Sequence, residues 1–322
     1  MSQPIGYRDL SPDDKAAVLA LAMEAYRREK ARTAVLPPVD PSCLLKPVER
    51  LIEAGNGVAA VRGGALLGFM AAARVPGLFG SVDGAYCPLF GHGMAQGVEG
   101  EVWQELYGRA ADLWAGQKMY THAITVFAGD AGLRNRLAYN GFGMRCADAI
   151  REAGGLERPL PDGSVRILES GPRLYECAAV IHRQHNEYYR RSPMFMPNAD
   201  EDAMQEQADW SSGDNHHEWL AFRGERPIGL MRLGPQGENF VSRQPSVMNI
   251  KGAYVVEEER AGGIATRLLA TVDSWAKDQG YKLLGVDYET INPLGSRYWG
   301  RYFVPYTYSL VRRIDERIAA FR

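Results

Sequence analysis

At 322 residues the chain is too long for one ordinary domain and suits two of roughly 150. Apolar residues make up 46% and charged residues 24%, so each half can bury a core. A net charge of −2 gives no field of one sign, which argues against nucleic acid or a membrane surface as partner. No apolar stretch approaches the ~20 residues needed to span a bilayer, and the start, MSQPIGYRDL, lacks the basic flank and apolar run of a signal peptide. The four cysteines are scattered with no C-x-x-C pair, as expected of reduced thiols in a cytoplasmic protein.

In chain order, a short strand is predicted over Tyr7–Leu10, followed by a helix with Val18, Leu21, Ala22 and Ala25 on one face. The stretch AAVRGGALLGFM, Ala59–Met70, reads as a hairpin. The boundary region Glu152–Ser164 is rich in Gly, Pro and charge. Beyond it the order repeats. A strand at Val165–Glu169 precedes a helix whose Cys177, Val180, Ile181 and Tyr188 share a face. WLAFRGERPIGLMRL is a hairpin turning near Gly224. A long strand, about Val247–Val256, leads into a helix with Ile264, Leu268, Leu269, Val272, Trp275 and Ala276 on one side, stopped by Gly280. The strand LLGVDY, a short helix near Pro293–Gly300 and a last strand, YTYSLVRRI, complete the second copy. Antiparallel hairpins and one parallel crossover define an α+β class: two tandem domains, 1–155 and 156–322, each a mixed, mostly antiparallel sheet flanked by helices.

The two halves are copies. Arg62 and Arg223, Gly68 and Gly229, and Met70 and Met231 all lie 161 positions apart, half the chain length, as do Phe142 and Phe303. A period this long marks a duplicated domain rather than a solenoid. The copies diverge most where the first has CPLFGHGMAQGVEGE and the second has VVEEERAGG.

That second stretch continues as Arg260-Ala261-Gly262-Gly263-Ile264-Ala265-Thr266. A helix start exposes unpaired N–H groups and partial positive charge, and glycines let an anion approach closely. The pattern is a diphosphate site in outline, or an ordinary strand-to-helix turn with an exposed arginine. In this element order, Arg260-x-x-Gly263-x-Ala265 resembles the [Gln/Arg]-x-x-Gly-x-[Gly/Ala] signature of the GNAT superfamily of acyl-CoA-dependent N-acyltransferases. NPLGSRYWGRYF, Asn292–Phe303, is similar to that family's Asn-x-x-Ala-x-x-x-Tyr-x-x-x-Gly-Phe block. The resemblance covers the second half and, more weakly, the first.

The resemblance implies an acetyl-CoA-dependent N-acetyltransferase that moves an acetyl group to the primary amine of a small molecule by direct attack on the thioester. Acetyl-CoA would be the acyl-donor substrate. Backbone groups of Val255 and Val256 would hold the pantetheine arm, amides from Ala261 to Thr266 the diphosphate, and Asn292 the arm beyond the next strand. The strands Val247–Val256 and Leu283–Tyr288 would splay to admit the thioester. A peptide acceptor, a non-catalytic acyl-CoA sensor and a scaffold remain alternatives, and a homo-oligomer is left open alongside a monomer.

An alkyl ammonium with a pKa of about 10.4 must lose a proton before it attacks, so a base is needed. Asp287 and Glu289, at the end of the strand bordering the substrate, are the candidates, with solvated strand-end carboxylates as the plain alternative. The oxyanion needs a backbone N–H, from Val255 or Val256. The departing thiolate takes a proton from an acid. Counting forward from Asn292 the family's tyrosine falls on Trp299; counting back from Phe303 it falls on Tyr298, taken as the acid. Packing explains the aromatic run equally well. His182 and His185 share a helix face but lack further ligand spacing, so no metal is expected. The loop NEYYRRSPMFMPNADED, Asn186–Asp202, would line the acceptor pocket, its acids favouring a cationic amine. The first copy lacks the Arg-x-x-Gly-x-Ala turn and is read as degenerate.

Overall fold

The computed structural model describes residues 3–98, 100–157, 163–197 and 203–321. Parts of the expected linker (158–162) and acceptor loop (198–202), and Glu99 of the first-copy loop, lie outside these. The chain forms two compact units, Met1–Ala147 with Pro305–Arg322, and Asp148–Val304.

The first repeat runs β1 (Gly6–Asp9), α1 (Lys15–Arg32), α2 (Leu45–Glu53), β2 (Gly57–Arg62), β3 (Ala65–Ala71), β4 (Ala73–Val75), β5 (Gly84–Cys87), β6 (His92–Met94), α3 (Gly100–Gly116), β7 (Thr121–Phe127), α4 (Ala131–Tyr139) and β8 (Gly143–Glu152). The second runs β9 (Val165–Glu169), α5 (Tyr175–Arg190), α6 (Ala203–Ser212), β10 (His217–Arg223), β11 (Arg226–Gly234), β12 (Val247–Val255), α7 (Ile264–Asp278), β13 (Leu283–Glu289), α8 (Pro293–Tyr302) and β14 (Val304–Arg313). The hairpin turn falls where expected, with Gly224 at φ +59°. Helix α6, AMQEQADWSS, carries little apolar periodicity.

The last strands change places. YTYSLVRRI was expected to complete the second copy. Instead β14 pairs antiparallel with β7 of the first repeat, from Thr307 opposite Phe127 to Arg313 opposite Thr121. The end of β8, from Asp148 on, belongs to the second unit and lies beside β13. Each unit thus takes its closing strand from the other repeat. The two strands fill equivalent places in duplicated sheets, and their own pattern of side chains does not specify which sheet receives them.

In the second unit the order is β8-β13-β12-β11-β10-β9, antiparallel from β9 to β12 and parallel between β12 and β13. Helix α7 covers one face and buries Ile264, Leu268, Leu269, Val272 and Ala276. Full burial of each large aliphatic side chain contributes about 1.5–3 kcal/mol. Helix α5 is rotated from the expected face: Val180 is 42% exposed, whereas Ala178, Ile181 and His182 are buried. The rotation brings a polar histidine inward, which apolar periodicity alone could not foresee.

That histidine joins a buried polar network. Arg232 on β11 donates from Nε to Glu218 on β10 at 2.7 Å and from a terminal nitrogen to Gln207 on α6 at 2.6 Å. Gln207 donates to Glu218 at 3.0 Å, and His182 approaches Glu218 at 3.7 Å and Glu206 at 3.5 Å. Burial alone would push the Glu218 pKa up; the nearby His182 ring and the charge and hydrogen bond of Arg232 overcome this and hold it below its ordinary value. These bonds dock α6 although its sequence has no strong apolar face.

The first unit differs at one point. Its strands β1-β2-β3-β6 form one sheet, and β4-β5-β7-β14 follow one another in the other. The stretch that corresponds to the single long β12 is broken at Pro88–Gly91 into β5 and β6. His92, at the start of β6, donates from Nε2 to the Thr125 carbonyl on β7 at 2.9 Å. Burial lowers its pKa, so the imidazole is neutral there.

Candidate active site

The site in the second unit begins with a β-bulge. Arg232 pairs with Gly252, and Leu233 with Ile250, leaving Lys251 without a partner on β11. A bulge bends its strand and increases the local twist. At the same place β12 parts from β13: their pairing stops at Ile250 opposite Val286, while β12 stays bonded to β11 as far as Val255. The two strands therefore splay as expected, and a cavity of about 450 Å³ fills the opening.

Alternation along the ladder sorts the backbone groups. The Val256 N–H donates to the Ile228 carbonyl at 3.0 Å. The N–H of Val255, one residue back, therefore turns the other way, toward the splay. Val255 lies in the cavity wall; Val256 is buried and its amide is already used, so the two expected backbone contacts reduce to one.

The helix mouth closes one end. Gly263 has φ +77° and precedes the first turn of α7. The first ladder bond of that turn is Arg267 N–H to the Gly263 carbonyl, so the amides of Ile264, Ala265 and Thr266 have no intrahelical partner. A Cβ at Gly263 would meet nothing within 4 Å, which leaves an open cradle in front of these amides. Ala261, at φ +66°, Gly263, Ile264, Ala265 and Thr266 all line the cavity; Gly262 does not. This donor set fits a diphosphate. The Arg260 side chain turns away from the mouth. Its Nε donates to the Val255 carbonyl at 3.1 Å, and the guanidinium lies over the rings of Tyr188 and Tyr254, at 4.7 and 5.4 Å from their centroids.

Asn292 lines the cavity and caps α8. Its Oδ1 accepts from the Gly295 N–H at 3.1 Å and from the Tyr188 hydroxyl at 2.9 Å. Tyr298 is in the wall, its hydroxyl buried and outside hydrogen-bonding geometry, with the Thr266 hydroxyl close by but bonded to Tyr302 at 3.1 Å. Burial raises its pKa, so the phenol stays protonated. Trp299, the other reading of that position, packs against Phe303 with ring centroids 5.5 Å apart.

Asp287 is in the wall and Glu289 is not. The Asp287 side chain is exposed, and its surface faces the cavity. Desolvation, then the like charge of Glu238, set against the Lys251 ammonium and reinforced by Glu289, raise its pKa to about 6. Lys251 lines the same end and is bonded to Glu238 at 2.7 Å. Glu257, Glu258 and Glu259 form the expected solvated turn, paired with Arg191, Arg226 and Arg223.

Sequence reading did not single out Tyr189, Lys251 or Tyr254, and gave His185 no role outside a metal site. His185 and Tyr189 are one helical turn apart on α5, a spacing that places both on one face. Among the described residues no group of His, Cys, Asp or Glu could hold a metal ion, and no helix is long and apolar enough to cross a membrane.

A splayed parallel strand pair leading to a glycine-opened helix mouth defines an acyltransferase-type fold. Residues 181–293 match the family model described as Acetyltransferase (GNAT) family. Members of that family use acyl-CoA as co-substrate. A GCN5-related N-acetyltransferase from Sphaerobacter thermophilus is similar in fold at a TM-score of 0.61 and 14% identity, over 97% of each chain. The GCN5-related glucosamine N-acetyltransferase region of a fungal multi-domain GH3 beta-N-acetylglucosaminidase gives 0.57 and 15%, over 97% of this chain and 38% of that one. The GNAT-like fold thus extends over both halves. No curated protein matches the chain.

Proposed function

We propose that the chain is an acetyl-CoA-dependent N-acetyltransferase acting on a primary amine of a small molecule, through the second unit. The observation that carries this reading is the continuous cavity from the β12–β13 splay to the open amides of α7. Acetyl-CoA would lie with its diphosphate on the amides of Ile264, Ala265 and Thr266 and its arm along Ala253 and Val255. Coenzyme A supplies an activated acyl group; the chain supplies the rest.

Asp287 takes a proton from the acceptor ammonium, directly or through water. With a pKa near 6 it is ionised at neutral pH yet basic enough to accept that proton. The Val255 N–H stabilises the oxyanion. Tyr298, already neutral, returns a proton to the thiolate. The Asp287 carboxylate in the wall, with Lys251 beside it engaged by Glu238, favours a cationic acceptor over an anionic one. The first unit contributes no acyl-CoA site: its corresponding strand is broken, and His92 bridges to β7.

The test is release of free CoA thiol from acetyl-CoA in the presence of an amine panel, with Gly263→Glu as control. The added carboxylate would stand in the cradle, occupy the amides and repel the diphosphate. The wild-type chain should be stabilised by about 2.7 kcal/mol at a hundredfold excess of acetyl-CoA over its Kd, and the variant by nothing. Binding without thiol release for every amine would instead indicate a sensor.

A further inference from the structure

Two histidines on α5 lie one turn apart, and the fold separates their work. His182 is buried against Glu218 and Glu206 and belongs to the network that docks α6. His185 faces the cavity. Its ring lies 4.8 Å from Tyr189 and 5.3 Å from Tyr254, centroid to centroid, which fixes the imidazole plane between two aromatic walls. Among the described residues its ring nitrogens have no hydrogen-bond partner. Its nitrogens are open to the cavity, where a bound molecule can meet them.

We propose that His185 determines acceptor specificity by hydrogen-bonding a hydroxyl group carried by the acceptor amine, so that the substrate class is an amino alcohol. This rests on the acetyltransferase reading above. The chemistry of the surroundings selects the hydroxyl. Burial, then the charges of His182, Arg232 and Arg260, lower the His185 pKa to about 3. The ring is therefore neutral at any working pH, with one donor and one acceptor nitrogen. It cannot ion-pair with a carboxylate, and it is too weak a base to deprotonate the ammonium, which is left to Asp287. A hydroxyl both donates and accepts, and so suits a neutral imidazole. The tyrosines on either side are neutral as well: burial pushes Tyr189 up to about 12 and raises Tyr254. This end of the cavity thus combines uncharged hydrogen-bonding groups and aromatic faces with one carboxylate for the amine.

The experiment measures acetyl transfer, as free CoA thiol, to trans-2-aminocyclohexanol, cyclohexylamine and trans-2-aminocyclohexanecarboxylate. The wild-type kcat/KM should be at least about tenfold higher for the amino alcohol than for cyclohexylamine, and lowest for the carboxylate. His185→Phe should erase the preference by bringing kcat/KM for the amino alcohol down to that for cyclohexylamine, with the acid limb of the pH profile still present. His185→Gln, which keeps a neutral donor and acceptor, should restore most of it, and its melting temperature guards against misfolding. Equal use of the first two amines, preference for the carboxylate, or an unchanged preference in His185→Phe overturns the assignment of His185 alone. If acetyl-CoA binds but no amine releases thiol, the acetyltransferase reading fails and the His185 assignment falls with it.

Discussion

Val255 and Val256 are chemically identical neighbours, yet only one can serve the reaction. The Val256 amide is committed to Ile228, and alternation points the Val255 amide into the splay. Asp287 and Glu289 share one face of β13, and only the first lines the cavity. With its pKa raised to about 6, Asp287 is active as a base only when ionised, so kcat/KM should fall as the pH drops through about 6 and level off above it. Asp287→Asn should lower kcat by about 10²–10⁴-fold and remove that limb, read from pH–rate profiles. Tyr298 offers a complementary test. Its hydroxyl is outside hydrogen-bonding geometry, so removing it relieves an unsatisfied buried group rather than breaking a bond. Tyr298→Phe should melt no lower than wild type, while kcat falls about 10²-fold if the phenol protonates the thiolate. A variant as active as wild type would leave Tyr298 a packing residue.

Among the elements, the helix mouth was the most readable part of the site. Arg260-x-x-Gly263-x-Ala265 encodes a left-handed residue and a set of free amides within a few positions, and local backbone chemistry suffices to build both. The placement of helix α6 was not readable, because it depends on polar partners brought from β10 and β11. With Glu218 and Arg232 side chains only 2% and 5% exposed, removal of Glu218 leaves Arg232 buried with the partly exposed Glu206 as its remaining counter-ion and Gln207 as its remaining bond. Glu218→Ala should cost less than the ~3–5 kcal/mol of a fully uncompensated buried charge but more than the ~1 kcal/mol of an exposed pair, measured by denaturant unfolding. Because the folded pKa of Glu218 is lowered, its contribution is fully present above the ordinary carboxylate pKa of about 4.3 and is lost as the pH falls through the folded value. The β12 bulge at Lys251 is a similar case: no residue announces it, since it follows from the mismatch between two paired strands.

Across the whole molecule, the duplication was visible at a constant 161-residue spacing, and the first copy's missing turn foreshadowed its broken strand. The exchange of closing strands was not. A cut at the repeat boundary, 155/156, would leave the first fragment without β14 and the second without the end of β8. Each fragment would expose an unpaired strand edge, a known cause of aggregation. Expressed alone, each should be insoluble or poorly folded by circular dichroism; co-expressed, the two should co-purify. Two well-folded, monomeric fragments would contradict the exchange. By itself the sequence determined what lies close along the chain: the periodic faces, the hairpin turn, the glycine-opened helix start and the duplication. Tertiary structure alone decided which sheet receives each last strand, which valine amide faces the splay, where Arg260 points and which histidine meets the cavity. Those choices depend on partners far apart in sequence, and a strand's own pattern fits equivalent edges of two duplicated sheets alike.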